Sequence, residues 1–543
     1  MKFWLILLGT LLAATPAVAR TAPPRTTIDT AADGIRITYD LSAPVRTLAV
    51  RAASQSGPPQ GIHVAAAEPG LTYRRGRIES AMPFRRATLV VAPDDGEVDS
   101  VYPLLSRVAG RGFVLFAPYV LPDTPFAARV ATGGGRYRAL PHAEAAGGYV
   151  LVGAAPAPRG AFRALASTTT KPELEARFHA RAGALLDFYA SRLHRRLARP
   201  PLLIISVVDE PADRQHHFFR GDVTPNGVVL LRFHGTADQI ADPNSTRQFT
   251  AFLAHELFHL WNRRTGEHGM REAWLHEGSA DYYGWLATDA LWPEEIDFPA
   301  RLTAALGGCT AFLADRGLMQ LSDGEAMQVR YSCGPIVQWV VDAGLRAASG
   351  GRRTGLDLWA ELLRNGRGDY SVATFLAAAR TQAPGTALFL SGLVESGARW
   401  DALAPALTGA GVGIEARPPT RGNLSFAATR ALIRAMCTDF WGAGFDNAGV
   451  YFDSAPCQLA GQFTHIVRID GTDPMADIPA YFAYVRDACA RGASLALVLR
   501  NEAGESRRTV RCTVPPAPAP LDFRIERPLP PGPALNPRAR SAP

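Results

Sequence analysis

Between residues 26 and 165 the chain carries short runs in which apolar and polar positions alternate. Ile35-Arg36-Ile37-Thr38-Tyr39 and Ala87-Thr88-Leu89-Val90-Val91 are two of them, and Gly and Pro separate one run from the next. A period of two predicts strands with one buried face, so this stretch reads as a β-rich domain. From Lys171 to Arg199 the period lengthens. Leu174, Phe178, Leu185, Leu186, Tyr189 and Leu193 recur at helical spacing, and Pro200-Pro201 stops the pattern. Strands are predicted at Leu202–Val208 and Val228–Phe233. A helix is predicted to start near Ser245, as its N-cap, and to carry Phe249, Phe252, Leu253, Leu257 and Leu260 on one side. Helical patterning continues to about residue 405, with breaks expected at Gly307-Gly308 and Gly350-Gly351. Alternation returns at Thr464–Ile469, Leu495–Leu499 and Thr509–Thr513, around a helix at Pro479–Arg491. The Pro-rich stretch from Pro515 to Pro543 has little to pack and is expected to stay disordered.

The first residues follow a different logic. Lys2 supplies a positive charge, Phe3 to Ala14 an apolar segment, and Ala17-Val18-Ala19 a small-x-small cleavage site. This is the pattern of a signal peptide cut near Ala19, and the apolar segment is too short to span a bilayer. A soluble, exported product, periplasmic or secreted, is the expectation, with no membrane span. A chain of 543 residues is long enough for about three domains. Its 47% hydrophobic and 20% charged content is that of a globular protein. The formal net charge of +7 is spread without a dense basic run, and only Lys2 and Lys171 are lysines, which argues against a nucleic-acid surface.

Export gives meaning to six cysteines, because an even number in an oxidising compartment favours disulfides. Cys309 and Cys333 form a pair within the helical region. Cys437, Cys457, Cys489 and Cys512 form a quartet in which two bridges are expected in an arrangement that spacing does not decide. None of the six has the spacing of a cysteine metal site.

The segment Ala254-His255-Glu256-Leu257-Phe258-His259-Leu260-Trp261-Asn262 carries the chemistry. Histidines four positions apart lie on one helix face, so both imidazoles can reach one ion, with Glu256 beside them to accept a proton. The gap to Trp274-Leu275-His276-Glu277-Gly278-Ser279-Ala280-Asp281-Tyr282-Tyr283 leaves room for a loop and a second, antiparallel helix that brings Glu277 opposite the histidines. Two imidazoles, a carboxylate and an open position make up a catalytic zinc site. Asp281, one turn after Glu277, is placed to bond the far nitrogen of His255 and fix its tautomer. A buried carboxylate beside two imidazoles with no cation would be costly, which favours Zn2+ over a purely structural cluster. Of the other histidines, His216, His217, His234, His268 and His276 read as surface or supporting residues.

These two segments resemble the glycyl aminopeptidase family of gluzincin zinc metallopeptidases. The resemblance implies a multidomain α+β chain with an N-terminal β-rich domain, a thermolysin-like, mostly α catalytic domain and a C-terminal PDZ-like α/β domain. On this chain the parts would be residues 1–19 as signal peptide, 20–165, 166–408 and 409–514 as the three domains, and 515–543 as tail. The resemblance further implies His255, His259 and Glu277 as ligands, Glu256 as general base, and Tyr331, in Tyr331-Ser332-Cys333-Gly334, as the oxyanion-stabilising tyrosine. Ile466-Val467-Arg468-Ile469-Asp470-Gly471 resembles a PDZ strand and turn, and Gly442–Gly449 a carboxylate-binding loop. A small β-rich packing domain held by disulfides is the other reading of that region.

Two departures from the family matter. The glutamate that holds a substrate's free amine on the edge strand has no counterpart in Thr224–Phe233, and Asp222 is the nearest carboxylate. The lysine usual before the glycine of the tyrosine motif is Cys333. The sequence thus predicts a zinc peptidase, an aminopeptidase by resemblance, acting on peptide or protein substrates. Val228–Phe233 is expected to pair with an extended substrate, and the PDZ-like domain with a C-terminal peptide. A catalytically silent peptide-binding scaffold is the alternative, and zinc hydrolysis of a non-peptide substrate a third.

Overall fold

The protein is described by a computed structural model that covers residues 25–51, 63–94, 102–108, 112–121, 126–166, 172–209, 218–263, 270–313, 316–366, 370–396, 403–437, 443–446, 449–453, 463–501, 503–513 and 522–530. The expected signal peptide, Cys457, His216, His217 and His268 lie outside these residues, as do Gly442, Asn447 and Ala448 of the segment Gly442–Gly449. The chain divides into two compact units, Met1–Ala155 and Pro156–Pro543.

The first unit is built from strands. β1 (Arg25–Ala31), β2 (Gly34–Ala49), β3 (Val64–Ala66), β4 (Leu71–Arg74), β5 (Arg77–Val91), β6 (Leu105–Val108), β7 (Gly112–Phe116), β8 (Ala127–Gly133), β9 (Arg136–Leu140) and β10 (Tyr149–Val152) follow one another. One sheet runs β3-β5-β2-β1-β8-β9 with β4 on β5, and a second runs β10-β7-β6. The alternation that predicts β2 also describes its packing. Ile35, Ile37 and Tyr39 are buried while Arg36 is exposed, as a pleated strand with one covered face requires.

The second unit begins with β11 (Ala157–Arg159) and β12 (Phe162–Ala166), which the alternation groups with the N-terminal strands. Here β12 pairs in parallel with β13 (Leu202–Asp209) across the crossover helix α1 (Pro172–Arg192). β14 (Phe218–Val223) and β15 (Val228–Gly235) complete a sheet in the order β11-β12-β13-β15-β14. β15 is therefore enclosed by a parallel and an antiparallel neighbour, and the expected edge strand is an interior one. Its eight buried residues fit that position. The edge is β14, whose single apolar pair gives only a weak strand signal.

Helices pack on this sheet. α2 (Pro243–Phe258) starts three residues earlier than predicted. Asp242 is the N-cap, accepting from the amides of Asn244 and Ser245, and Pro243 takes the first helical position, where its missing N–H costs nothing. α3 (Ala273–Leu291) follows, then α4 (Phe298–Leu313), α5 (Asp323–Val329) and α6 (Cys333–Ser349). α4 runs through Gly307-Gly308 without a break. A side-chain carbon at Gly308 would lie 3.3 Å from Ser332 Cβ, so that glycine serves close packing. Gly350, by contrast, ends α6 in the left-handed conformation, with φ of 62°.

The C-terminal part shares the core of this unit. β16 (Gly413–Arg417) pairs with β22 (Asp522–Arg527), and α7 (Arg421–Met436) precedes a sheet of β17 (Ala443–Asp446), β18 (Gly449–Asp453), β19 (Phe463–Ile469), β20 (Ser494–Asn501) and β21 (Gly504–Arg511). α8 (Ile478–Ala490) lies between β19 and β20 in the chain. The stretch after Pro515 is thus not wholly unstructured. Phe523 and Ile525 alternate into the core and order β22 despite the flanking prolines. Disulfides join Cys309 to Cys333 and Cys489 to Cys512, and Cys437 is also disulfide-bonded. Among the described residues no helix is long and apolar enough to cross a membrane.

Candidate metal centre

α2 and α3 pack side by side, and glycine sets how closely. A side-chain carbon at Gly284 of α3 would stand 2.9 Å from the backbone nitrogen of His255. That close approach brings the two motif-bearing faces together. Nε2 of His255 and Nε2 of His259 are 3.1 Å apart, and Glu277 Oε2 lies 3.4 Å from the first and 3.5 Å from the second. One ligand atom from each of the three residues falls within 4.8 Å of the others. His255 and His259 are buried, and Glu277 is about three-quarters buried.

The far sides of both imidazoles are already committed. His255 Nδ1 lies 2.8 Å from the Asp281 carboxylate, and His259 Nδ1 lies 3.0 Å from Asn262 Oδ1. The orientation of the Asn262 amide follows from its other end, which donates 2.9 Å bonds to the His276 carbonyl and to Ser279 Oγ. Its oxygen must therefore face His259, so both Nδ1 atoms are donors and both Nε2 atoms present lone pairs. Two lone pairs and a carboxylate oxygen facing one point repel each other unless a positive charge lies among them. With no ion present, a proton on His255 meets that demand for positive charge. Burial opposes charge on His255, but Asp281 and Glu277 outweigh it and hold its pKa well above the usual histidine range. Burial likewise opposes charge on Glu277, yet the two imidazoles hold its pKa well below the usual carboxylate range. The donor set, three borderline ligands with oriented imidazoles, is one that zinc accepts.

Glu256 is buried, and burial raises its pKa above the ordinary value of 4.5 against the pull of the two histidines. The edge strand β14 passes directly over it. A side-chain carbon at Gly221 would lie 2.3 Å from the Glu256 carboxyl carbon. Asp222, the next residue, is in register with Leu230 and by strand alternation belongs to the opposite face. Tyr331 precedes α6. Its ring centroid is 6.2 Å from that of His255, and the residue is 44% exposed. Burial of part of the ring and the charge of Glu277 raise its pKa. Gly334, three residues on, packs backbone to backbone against Gly278, next to Glu277.

Several contributors are not visible in the motif. Asn262 follows the motif but carries no consensus role, and only its spacing of three from His259 hints at a bond. His276 stacks on His259 with centroids 4.3 Å apart, and its Nδ1 lies 2.8 Å from the Tyr370 hydroxyl. Tyr370 OH in turn donates to the Asn262 carbonyl at 2.7 Å. Tyr370 arrives from a distant part of the chain, and no local pattern announces it.

No family profile matches the sequence. No curated protein matches it either. Among solved structures the chain is similar to an aminopeptidase N family protein from Idiomarina loihiensis, with a TM-score of 0.57 at 13% identity, covering 93% of this chain and 98% of that one. The likeness extends over both units and shows a multidomain aminopeptidase N-like fold of mixed helix and sheet.

Proposed function

We propose that the chain is a zinc-dependent peptidase in which His255, His259 and Glu277 hold the ion, Glu256 is the general base and Tyr331 stabilises the oxyanion. One observation carries the reading: two Nε2 lone pairs and a carboxylate oxygen converge, with every far-side bond already made. Zinc bound there would supply Lewis acidity for the scissile carbonyl and the attacking water. Asp281 and Asn262 keep the imidazoles in the ligating tautomer and hold their planes. Glu256 accepts the proton of the attacking water and passes it to the leaving amine, a role that its raised pKa suits. The Tyr331 hydroxyl donates to the oxygen that gains negative charge.

The position of β14 at the end of its sheet, among the described residues, supports recognition of an extended peptide by main-chain hydrogen bonds beside Glu256. The aminopeptidase N family name of the structural relative favours cleavage at free N-termini, as does the resemblance to glycyl aminopeptidases. Asp222, on the face away from Glu256, does not supply the amine anchor of that family. Residues 409–514 fit a PDZ-like module on the strength of the Ile466–Gly471 turn and α8. The signal-peptide pattern and the disulfides fit an exported enzyme. The test is metal analysis of the full-length protein, followed by digestion of a mixed peptide library with and without chelator. One zinc per chain and chelator-sensitive cleavage are expected. A protein that binds zinc and cleaves nothing would instead be the silent peptide-binding scaffold.

A further inference from the structure

Several arginines of the second unit end on carboxylates. Glu325 alone, on α5, receives Arg316, Arg430 and Arg434. Glu295 receives Arg177 and Arg181, and Asp342 receives Arg346. Arg330, one residue before Tyr331, is different. Its Nη1 meets the thioether sulfur of Met327, at 2.7 Å, its side chain also donates a hydrogen bond to that of Tyr331, and its Nε is buried with no hydrogen-bond partner. Among the described residues no carboxylate pairs with it. Its guanidinium carbon lies 4.5 Å from the centroid of the Tyr331 ring.

A guanidinium taken partly out of water with unused donors carries a desolvation cost that a carboxylate would offset through charge-assisted bonds. The stacking on Tyr331 returns only part of that cost. The location adds direction. An extended peptide advances about 3.4 Å per residue, so a guanidinium stacked on the Tyr331 ring reaches a group about one residue from the carbonyl held by Tyr331. The carboxylates around the centre, Glu256, Glu277 and Asp281, would repel an anionic substrate group placed anywhere without such a partner.

We infer that Arg330 is a specificity-determining residue that receives a substrate carboxylate adjacent to the cleaved bond, so that the enzyme favours short peptides with an anionic group there. The inference rests on the peptidase reading above. The carboxylate is either the C-terminus of a dipeptide or an acidic side chain flanking the bond, and the same guanidinium serves both.

The test uses full-length, zinc-loaded protein and matched neutral and anionic substrates. Leu-Ala is compared with Leu-Ala-amide, and Leu-Asp-amide with Leu-Asn-amide. The wild type should favour the carboxylate-bearing member of at least one pair by about tenfold or more in kcat/KM, as expected for a charge-assisted contact. Preference within the first pair identifies the terminus, and within the second the side chain. Arg330→Gln should bring that ratio close to one, and Arg330→Lys should restore part of it. A variant that lowers both members alike and keeps the ratio makes Arg330 only a support for Tyr331 and overturns the inference. So does a wild type that cleaves both members of each pair equally, while the peptidase reading survives. A zinc-loaded wild type that cleaves no peptide removes both.

Discussion

The backbone of Gly221 passes so close to Glu256 that a single methyl group on it would lie 2.3 Å from the carboxylate. The edge strand and the base are thus fitted to each other, and only hydrogen leaves room. Gly221→Ala should push the Glu256 carboxylate aside while the three ligand side chains, borne by α2 and α3, stay in place. A displacement of about 1 Å costs on the order of 100-fold in rate, so kcat/KM should drop by about 10- to 100-fold with zinc content unchanged. Metal analysis and kinetics on the same preparation check this. Undiminished turnover would mean that the carboxylate works from a second position.

Glu256 itself separates binding from chemistry. Glu256→Gln keeps the shape and removes the base, so zinc should bind as in the wild type while hydrolysis falls by about 100-fold or more. The pH profile is an independent check on the same group. Burial raises its pKa above 4.5, with Glu277 and Asp281 acting in the same direction and the histidines against. The base must be ionised to work, so activity should fall as pH decreases, along an acid limb centred above 4.5. A limb centred lower, or one that persists unchanged in the glutamine variant, would assign the base elsewhere.

Asn262 holds His259 through one oxygen and the start of α3 through one nitrogen. Asn262→Ala releases the His259 ring to the wrong tautomer and leaves the partly buried His276 carbonyl without that donor. Zinc affinity should fall by about 10- to 100-fold, read by competition with a chromophoric chelator. Stability should fall by about 1–3 kcal/mol, read by urea unfolding of chelator-treated wild type and variant. An unchanged zinc affinity would show that stacking against His276 suffices to hold the ring.

How far the sequence reaches is visible in these same residues. The His255–Glu256–His259 face and the Glu277–Asp281 turn are legible because ligand geometry imposes a helical period that survives in a single sequence. The β-rich first unit is legible for the same reason at period two. The edge strand is not. β14 and β15 both carry strand-like residues, and only pairing decides which is outermost, so the more apolar β15 is mistaken for the one that meets substrate. Gly307-Gly308 resembles a break because glycine signals both flexibility and close approach, and the choice depends on Ser332, which comes from another segment. Tyr370 and Arg330 share this limit. Their roles arise from neighbours brought in by the fold.

The disulfide between Cys309 and Cys333 closes a segment with a sequence separation of 24 and fixes the first residue of α6 to α4. Tyr331 lies two residues before Cys333, and Gly334 one residue after it rests on Gly278, where a side-chain carbon would meet backbone at 2.3 Å. The bridge and the glycine contact therefore act on the same turn. Replacing both cysteines by serine returns loop entropy to the unfolded chain, which should lower stability by about 3 kcal/mol in urea unfolding. The glycine contact remains, so Glu277 should keep its place and zinc should bind normally. Tyr331 loses one of its two anchors, and kcat should fall more than KM rises, because the tyrosine acts on charge that develops only in the transition state. A double-serine variant with the predicted loss of stability and wild-type kcat would confine the bridge to a purely structural role and leave the glycine pair as the element that places Tyr331.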